Sequence, residues 1–166
     1  MTSDPRANPD PAGPLPEAAN LGVARPPLVY LGSIALGVLL HFARPVSLLP
    51  RVSPGFGAAL VVLAIGLFLF AVRTFRAAGT PVPGNRPTTT IVRTGPYRFS
   101  RNPIYLAFSL LQLGIALWVN SLWLVLTLLA AVAVMSLVVI PREERYLEAR
   151  FPSEYPPYKA SVRRWF

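Results

Sequence analysis

The chain has 166 residues, of which 53% are hydrophobic and only 14% are charged, against roughly 25% charged residues in soluble domains. Because the apolar residues fall in long blocks, the composition excludes an ordinary soluble domain and indicates one integral membrane domain. The net charge of +9 would suggest nucleic-acid binding in a soluble protein. Here the arginines cluster at the ends of the apolar blocks, so membrane lipids with anionic headgroups are the expected partners and nucleic acid is not. No cysteine is present and His41 is the sole histidine, so neither a zinc site nor a histidine-based triad is expected.

Residues 1–26 contain six prolines, few large apolar groups and scattered charges of both signs. This composition predicts a disordered tail that lies outside the folded domain. The tail lacks the basic start and apolar core of a signal peptide. The folded domain is therefore expected to cover residues 27–166.

Four apolar runs of 16 to 19 residues follow the tail, at 27–43, 56–72, 104–119 and 122–140. Each would form about 25 Å of helix, slightly less than a hydrocarbon core of about 30 Å. A soluble helical core is disfavoured, because residues 56–72 carry no charge on any face. The sequence predicts an all-α polytopic membrane protein with four transmembrane helices, the last two forming a hairpin around Asn120 and Ser121.

The basic residues predict the orientation in the membrane. Only Arg44 and Arg51 lie between the first two spans, whereas the other fourteen arginines and lysines fall on the opposite side. Since positive segments stay inside, we expect a bacterial inner-membrane protein with both termini in the cytoplasm. The segments 73–103 and 141–166 would then be cytosolic, with 88–92 extended and a basic amphipathic helical segment at the C-terminal end.

Arg93–Tyr105 reads R-T-G-P-Y-R-F-S-R-N-P-I-Y and combines arginines, tyrosines, prolines and a glycine beside the third span. Its Gly-Pro and Asn-Pro pairs predict a constrained, non-helical segment. Interfacial anchoring would account for the tyrosines and arginines alone, but it does not require prolines on both sides. We therefore consider a ligand site at this segment.

Glu143 and Glu144 lie just beyond the fourth span on a face otherwise rich in arginine. They are also typical of a solvated helix start, where carboxylates are favoured. Since adjacent helical residues point about 100° apart, at most one is expected to face a site shared with the 93–105 segment. Together with Tyr97 and Tyr105, one carboxylate would suit a ligand with a flat ring, a cationic centre and an ammonium group, such as S-adenosylmethionine.

Three motifs carry a resemblance to a known family: G-P-Y-R-F-S-R-N-P-I-Y, E-E-R-Y-L-E-A-R-F and Y-P-P-Y-K. Their combination and separation resemble the C-terminal signature of integral membrane isoprenylcysteine carboxyl methyltransferases, which the phospholipid N-methyltransferases share more distantly. The resemblance covers about residues 89–162 and implies S-adenosylmethionine as the cofactor. The positions it implies for cofactor binding are Thr89, Thr90, Ile91, Val92, Tyr97, Asn102, Pro103, Ile104, Tyr105 and Glu143.

Two positions depart from the family pattern. Asn102 stands where the family usually has histidine, so a proton-transfer role is lost there, although an amide can still donate a hydrogen bond. Val139 stands where the eukaryotic enzymes carry a substrate-contacting arginine one helical turn before the glutamate. Arg101 or Arg142 would have to replace it toward an anionic substrate.

The resulting hypothesis is S-adenosylmethionine-dependent methyl transfer to a lipophilic acceptor, which is an isoprenylcysteine-like carboxylate, a lipid amine or a thiol. Arg101 is the candidate for neutralising the acceptor and Glu144 the candidate base. Two alternatives remain open at this point: an NADPH-dependent membrane reductase of the sterol-reductase type and a non-catalytic lipid-binding or scaffold protein. The first lacks support from a glycine-rich dinucleotide motif, which this chain does not contain.

Overall fold

The computed structural model describes residues 25–50, 53–79 and 88–166, so the predicted tail falls outside it apart from its last two residues. Within these ranges the chain is helical and contains no strand, apart from an isolated bridge between Ser47 and Ser121. The helices are α1 (Pro26–Ala43), α2 (Pro54–Ala77), α3 (Pro103–Trp118), α4 (Leu122–Val134), α5 (Ile140–Arg150) and α6 (Tyr155–Ser161). A 3₁₀ turn covers Gly95–Arg98, and a π-helical segment, Met135–Val139, joins α4 to α5.

The predicted all-α membrane architecture is confirmed. Among the described residues, three helices are long and apolar enough to cross a membrane: α1, α2 and the continuous helix Leu122–Arg150. The third predicted span, α3, is apolar but has 16 residues. α1, α2 and α3 each begin with proline in the first turn, where its missing N–H costs nothing and its φ is already helical.

Many large apolar side chains on the outer faces of the helices are exposed, such as Leu39 at 65% and Val62 at 70%. In water such surfaces would favour aggregation, whereas lipid tails solvate them without cost. The exposed apolar surface is therefore the part of the bundle that faces the bilayer.

Small residues let the helices approach closely. A Cβ atom built on Gly57 of α2 would lie 2.7 Å from the carbonyl oxygen of Gly114 on α3, and one on Gly37 of α1 would lie 2.7 Å from Thr127 Oγ1 on α4. Because lipid supplies no hydrophobic drive between helices, close backbone contact is a main source of their association. These contacts hold the short helix α3 against α2, and α1 against α4.

The predicted hairpin between α3 and α4 turns at Asn120, which adopts a φ of 51°. Its side-chain oxygen accepts from the backbone N–H groups of Leu48 and Leu49, both at 3.1 Å, and its Nδ2 donates to the Leu49 carbonyl at 2.9 Å. One asparagine therefore closes the hairpin and fastens the connection between α1 and α2 to it.

The boundary that the sequence suggests at Pro141 is not a break in the helix, because Leu122–Arg150 is continuous. A proline inside an α-helix removes one hydrogen bond and collides with the carbonyl four residues earlier. The helix widens over Met135–Val139, where the Ile140 N–H donates to the carbonyl of Met135 five residues before it. This π-helical segment accommodates the proline and carries the helix on to Glu143 and Glu144.

Candidate functional site

The 93–105 segment is anchored on α2 through its glycine. Gly95 has a φ of +58°, and a Cβ atom there would lie 2.8 Å from Thr74 Oγ1. Only glycine meets both the left-handed backbone and the close approach. The following turn places the Tyr97 ring edge-on against Phe75, with ring centroids 4.8 Å apart.

Tyr97 is 4% exposed, and its hydroxyl is buried without a hydrogen-bond partner among the described residues. Burial raises the pKa of Tyr97 well above its usual value, and the nearby Tyr158 and Glu143 raise it further. The phenol therefore stays neutral and keeps a proton to donate. A buried, unpaired hydroxyl is costly, which makes it a candidate for contact with a ligand.

Tyr105 and Glu143 form a direct pair across α3 and α5. The Tyr105 hydroxyl donates to Glu143 Oε1 at 2.7 Å, and the Tyr105 ring is buried. Tyr97, Tyr105, Val92 and Ile104 belong to one buried cluster that also includes Phe75. The structure thus brings together five of the twelve side chains that the sequence selected: Val92, Tyr97, Ile104, Tyr105 and Glu143.

The remaining predicted positions differ in exposure. Thr89 is exposed, Thr90 and Ile91 are half-buried, and Pro103 is buried at the start of α3. Residues 88–94 form no strand, as expected of a lone extended segment.

Asn102, which replaces the family histidine, contacts the C-terminal segment. Its Nδ2 donates to the Arg164 carbonyl at 3.0 Å, while its backbone N–H donates to Ser100 Oγ at 3.1 Å. The amide therefore ties the start of α3 to the residues that follow α6. Val139, the other departure, is fully buried within the π-helical segment, so no charge lies at that position.

Glu144 is the centre of an ionic cluster. Arg164 donates to both of its carboxylate oxygens, at 3.1 and 2.8 Å. Arg101 Nη2 lies 3.2 Å and Lys159 Nζ 3.4 Å from the same carboxylate, whose side chain is only 6% exposed. Lys159 also pairs with Glu148 at 2.8 Å.

Both glutamates contact the 93–105 segment, because Tyr105 contacts Glu143 and Arg101 contacts Glu144. That at most one of them faces a site shared with this segment stays a prediction. The two carboxylates do point to different sides of α5. The 93–105 segment can contact both sides of α5 because its two contacting residues lie in different parts of the chain. Tyr105 lies inside α3, and Arg101 lies before α3 begins.

The C-terminal segment covers the 93–105 segment from outside. The Tyr158 hydroxyl donates to the Tyr97 carbonyl at 2.8 Å, and the Arg101 N–H donates to the Arg163 carbonyl at 3.0 Å. Burial raises the pKa of the Tyr155 hydroxyl to about 12, and the neighbouring Arg101 offsets only part of this rise. The basic amphipathic segment at the C-terminal end was expected to lie on the membrane or over a site, and it packs against the 93–105 segment.

Sequence reasoning missed Arg164 and Ser136. In the π-helical register the Ser136 carbonyl would need the N–H of Pro141, which proline lacks. Arg164 Nη1 donates to that carbonyl at 3.4 Å, and Trp165 Nε1 donates to Ser136 Oγ at 3.3 Å. A serine in an apolar run five residues before a proline is the signal that could have indicated this docking point.

Comparisons with known proteins identify the family of the chain. Residues 52–154 match the family model described as phospholipid methyltransferase. The chain is 39% identical over 62 residues to an uncharacterized protein of Haemophilus influenzae, covering 37% of this chain and 98% of that protein. It is 35% identical over 81 residues to the cobalt-zinc-cadmium resistance protein CzcN of Cupriavidus metallidurans, covering 49% of this chain but only 37% of CzcN. No solved structure matches.

Proposed function

Because the chain belongs to the phospholipid methyltransferase family, we propose that it transfers a methyl group from S-adenosylmethionine to a lipophilic acceptor at the cytoplasmic membrane surface. The acceptor is a lipid amine, an isoprenylcysteine-like carboxylate or a thiol. The observation that carries the proposal is the buried, unpartnered Tyr97 hydroxyl in the same cluster as the Tyr105–Glu143 pair. The Tyr97 hydroxyl is a hydrogen-bond donor without a partner among the described residues, and the Glu143 carboxylate is a hydrogen-bond acceptor.

The residues present fit the cofactor. Glu143 would accept from its ammonium group, since charge-assisted hydrogen bonds are the stronger ones. The rings of Tyr97 and Tyr105 would pack against its ring system and favour its positive charge. When bound, S-adenosylmethionine supplies an electrophilic methyl group on a sulfonium centre.

The protein contributes positioning and the exclusion of water. Val92, Ile104 and Phe75 are buried around the tyrosines and keep solvent from that side of the site. Holding both reactants in line lowers the entropic part of the barrier. A carboxylate or thiolate acceptor then needs no strong general base.

Glu144 was predicted to act as a base, but its contacts favour another role. Three cationic groups lie within 3.4 Å of its carboxylate, and each stabilises the ionised form. An ion pair of this kind makes the carboxylate a weak proton acceptor. We propose that Glu144 is a positioning residue for Arg101.

The site lies where both reactants can reach it. Glu143 and Glu144 follow the apolar part of the long helix Leu122–Arg150, next to the start of α3. A water-soluble cofactor would enter from the cytosol, and a lipophilic acceptor would enter from the bilayer between the helices. Neither reactant then has to cross the phase in which it is insoluble.

A test of the proposal compares Tyr97→Phe with Tyr146→Phe, a half-buried tyrosine on α5, in the purified full chain. Tyr97→Phe removes a hydroxyl that has no partner in the described structure, so the free energy of unfolding should not fall. Affinity for S-adenosylmethionine, measured by isothermal titration, should decrease about 2- to 10-fold. Tyr146→Phe should change neither quantity.

Membranes incubated with radiolabelled S-adenosylmethionine should also yield a labelled lipid. A base-labile product would identify an ester, and a stable product an amine or thioether. Binding of NADPH in place of S-adenosylmethionine would support the reductase alternative. Failure to bind either cofactor, with no labelled lipid, would support the non-catalytic alternative.

A further inference from the structure

Tyr30 connects α1 to the buried cluster of the candidate site. It is 2% exposed and belongs to the same cluster as Tyr97 and Tyr105. α1 ends at Ala43, whereas the family match begins at residue 52. Tyr30 therefore reaches the site from a helix that the family match does not include.

The Tyr30 hydroxyl is bonded to the part of α3 that carries Tyr105. It lies 2.8 Å from Ser109 Oγ, and Ser109 Oγ donates to the Tyr105 carbonyl at 3.0 Å. Because a serine hydroxyl has a single proton, Tyr30 is the donor to Ser109. The Tyr105 hydroxyl in turn donates to Glu143. Tyr30 is thus linked, through Ser109, to the residue whose hydroxyl holds the Glu143 carboxylate.

A second hydrogen bond between α1 and α3 lies three residues further along both helices. Ser33 Oγ donates to Gln112 Oε1 at 2.7 Å, and it also lies 2.9 Å from the Tyr30 carbonyl within α1. Gln112 in turn donates to α4, to the Leu124 carbonyl and Thr127 Oγ1, both at 3.2 Å. The Ser33–Gln112 bond therefore fastens α1 to α3 and α4 at a point further from the candidate site.

The two halves of α3 are held in different ways. Its second half makes the close glycine contact with α2, whereas its start has no side-chain cap. In its first half Phe108 lies between Tyr30 and Phe68, with both pairs of ring centroids 5.4 Å apart. Ring contacts are compatible with centroid distances of about 4.5–7 Å, but a hydrogen bond between hydroxyls requires about 2.5–3.0 Å. The Tyr30–Ser109 bond therefore restricts the rotation of this half of α3 more tightly than the rings do.

We propose that Tyr30 is a positioning residue for Tyr105 and, through it, for the Glu143 carboxylate. This inference rests on the function proposed above, in which Glu143 accepts from the ammonium group of the cofactor. By restricting the rotation of α3, the Tyr30 hydroxyl keeps the Tyr105 hydroxyl within hydrogen-bond distance of Glu143. α1 thus contributes to cofactor binding through α3 rather than by contact with the cofactor.

The test compares Tyr30→Phe with Ser33→Ala in the purified full chain. Tyr30→Phe keeps the ring contact with Phe108 and removes only the hydroxyl. Affinity for S-adenosylmethionine, measured by isothermal titration, should fall about threefold, the effect of losing one average hydrogen bond between membrane helices. Ser33→Ala deprives the fully buried Gln112 of a partner, so it should lower the midpoint of thermal unfolding at least as much. Its cofactor affinity should nevertheless equal that of the wild-type chain.

Two results of this comparison would overturn the inference. One is wild-type cofactor affinity in folded Tyr30→Phe. The other is a loss of affinity that follows the loss of stability in both variants, because Tyr30 would then be an ordinary packing residue.

A double variant shows whether Tyr30 acts through Tyr105. Once Tyr105→Phe has removed the Tyr105 hydroxyl, adding Tyr30→Phe should cause no further loss of cofactor affinity. Additive losses would contradict the inference, because Tyr30 would then affect the cofactor by another route.

A measurement without cofactor separates this inference from the proposed function. A fluorotyrosine incorporated at position 105 gives a fluorine NMR resonance that reports the surroundings of the Tyr105 hydroxyl. Tyr30→Phe should shift or broaden this resonance in the cofactor-free chain, and Ser33→Ala should not. No change in Tyr30→Phe, or equal changes in both variants, would show that Tyr30 does not position Tyr105. If the wild-type chain binds no S-adenosylmethionine, the proposed function fails, and the resonance still decides the role of Tyr30.

Discussion

Replacing Glu143 with glutamine should lower the affinity for S-adenosylmethionine by about 10- to 150-fold. In the wild-type protein the Tyr105 hydroxyl lies 2.7 Å from Glu143 Oε1. Glutamine keeps the shape of the side chain and an oxygen that can still accept this hydrogen bond. What it removes is the negative charge. A hydrogen bond to a charged group contributes about 1.5–3 kcal/mol, which corresponds to the stated range of affinities.

Tyr105→Phe tests the orientation of the Glu143 carboxylate separately from its charge. This variant keeps the Glu143 carboxylate but removes the hydroxyl that holds it, a bond worth about 0.5–1.5 kcal/mol. Cofactor affinity should therefore fall only about 2- to 10-fold. The order of effects, with Glu143→Gln larger than Tyr105→Phe, follows from the geometry of this pair.

Isothermal titration of the purified, detergent-solubilised full chain measures both affinities, and thermal unfolding shows whether each variant is folded. A folded Glu143→Gln protein with wild-type affinity would refute the assignment of the ammonium group to this carboxylate. An effect no larger than that of Tyr105→Phe would indicate that Glu143 acts through its hydrogen bond rather than its charge.

Three further outcomes are expected. Glu144→Gln should lower the free energy of unfolding by about 2–3 kcal/mol, because it leaves the largely buried Arg101 and the partly exposed Arg164 poorly paired. Unchanged stability with lost cofactor affinity would contradict its positioning role. Gly57→Leu should prevent α2 from packing on α3, so that no folded protein is recovered from membranes. Gly66→Leu should be tolerated, because a Cβ atom there meets nothing within 4 Å. Equal yields of folded protein from the two variants would refute the close contact at Gly57. Reporters fused after Asn120 and after Phe166 should lie on opposite sides of the membrane, and finding both on one side would refute the predicted orientation.

The helices were predictable because their signals are local. Apolar runs bounded by prolines and short polar turns indicate where helices begin and end, and the bilayer demands internally bonded backbone. The Asn120 turn follows from the same short-range rules. The prediction of a non-helical segment around Gly95 is wrong for Gly95–Arg98, because these residues form a 3₁₀ helix. Tyr97, Tyr105 and Glu143 were selected by their chemistry and by the family resemblance, and the structure brings them into one cluster.

The contacts of the C-terminal segment were not predictable in the same way. Whether Arg164 meets Glu144 and Ser136 depends on the path of a chain that passes over α5 and returns to it. The continuation of the helix through Pro141 depends on a widening of the backbone five residues earlier, where no glycine or proline marks it. Local propensity favours a break at a proline, and tertiary contacts here supply the missing hydrogen bond instead.

The length of the continuous helix Leu122–Arg150 also determines how deep Glu143 lies relative to the bilayer. At 1.5 Å per residue, Glu143 lies about 32 Å along the helix from Leu122, close to the thickness of a hydrocarbon core of about 30 Å. A flexible joint at Pro141 would let the carboxylate adjust its depth, but a continuous helix does not. The depth of Glu143 therefore depends on the thickness of the surrounding membrane. The length of the membrane lipids' acyl chains is then expected to affect how easily a ligand reaches this carboxylate.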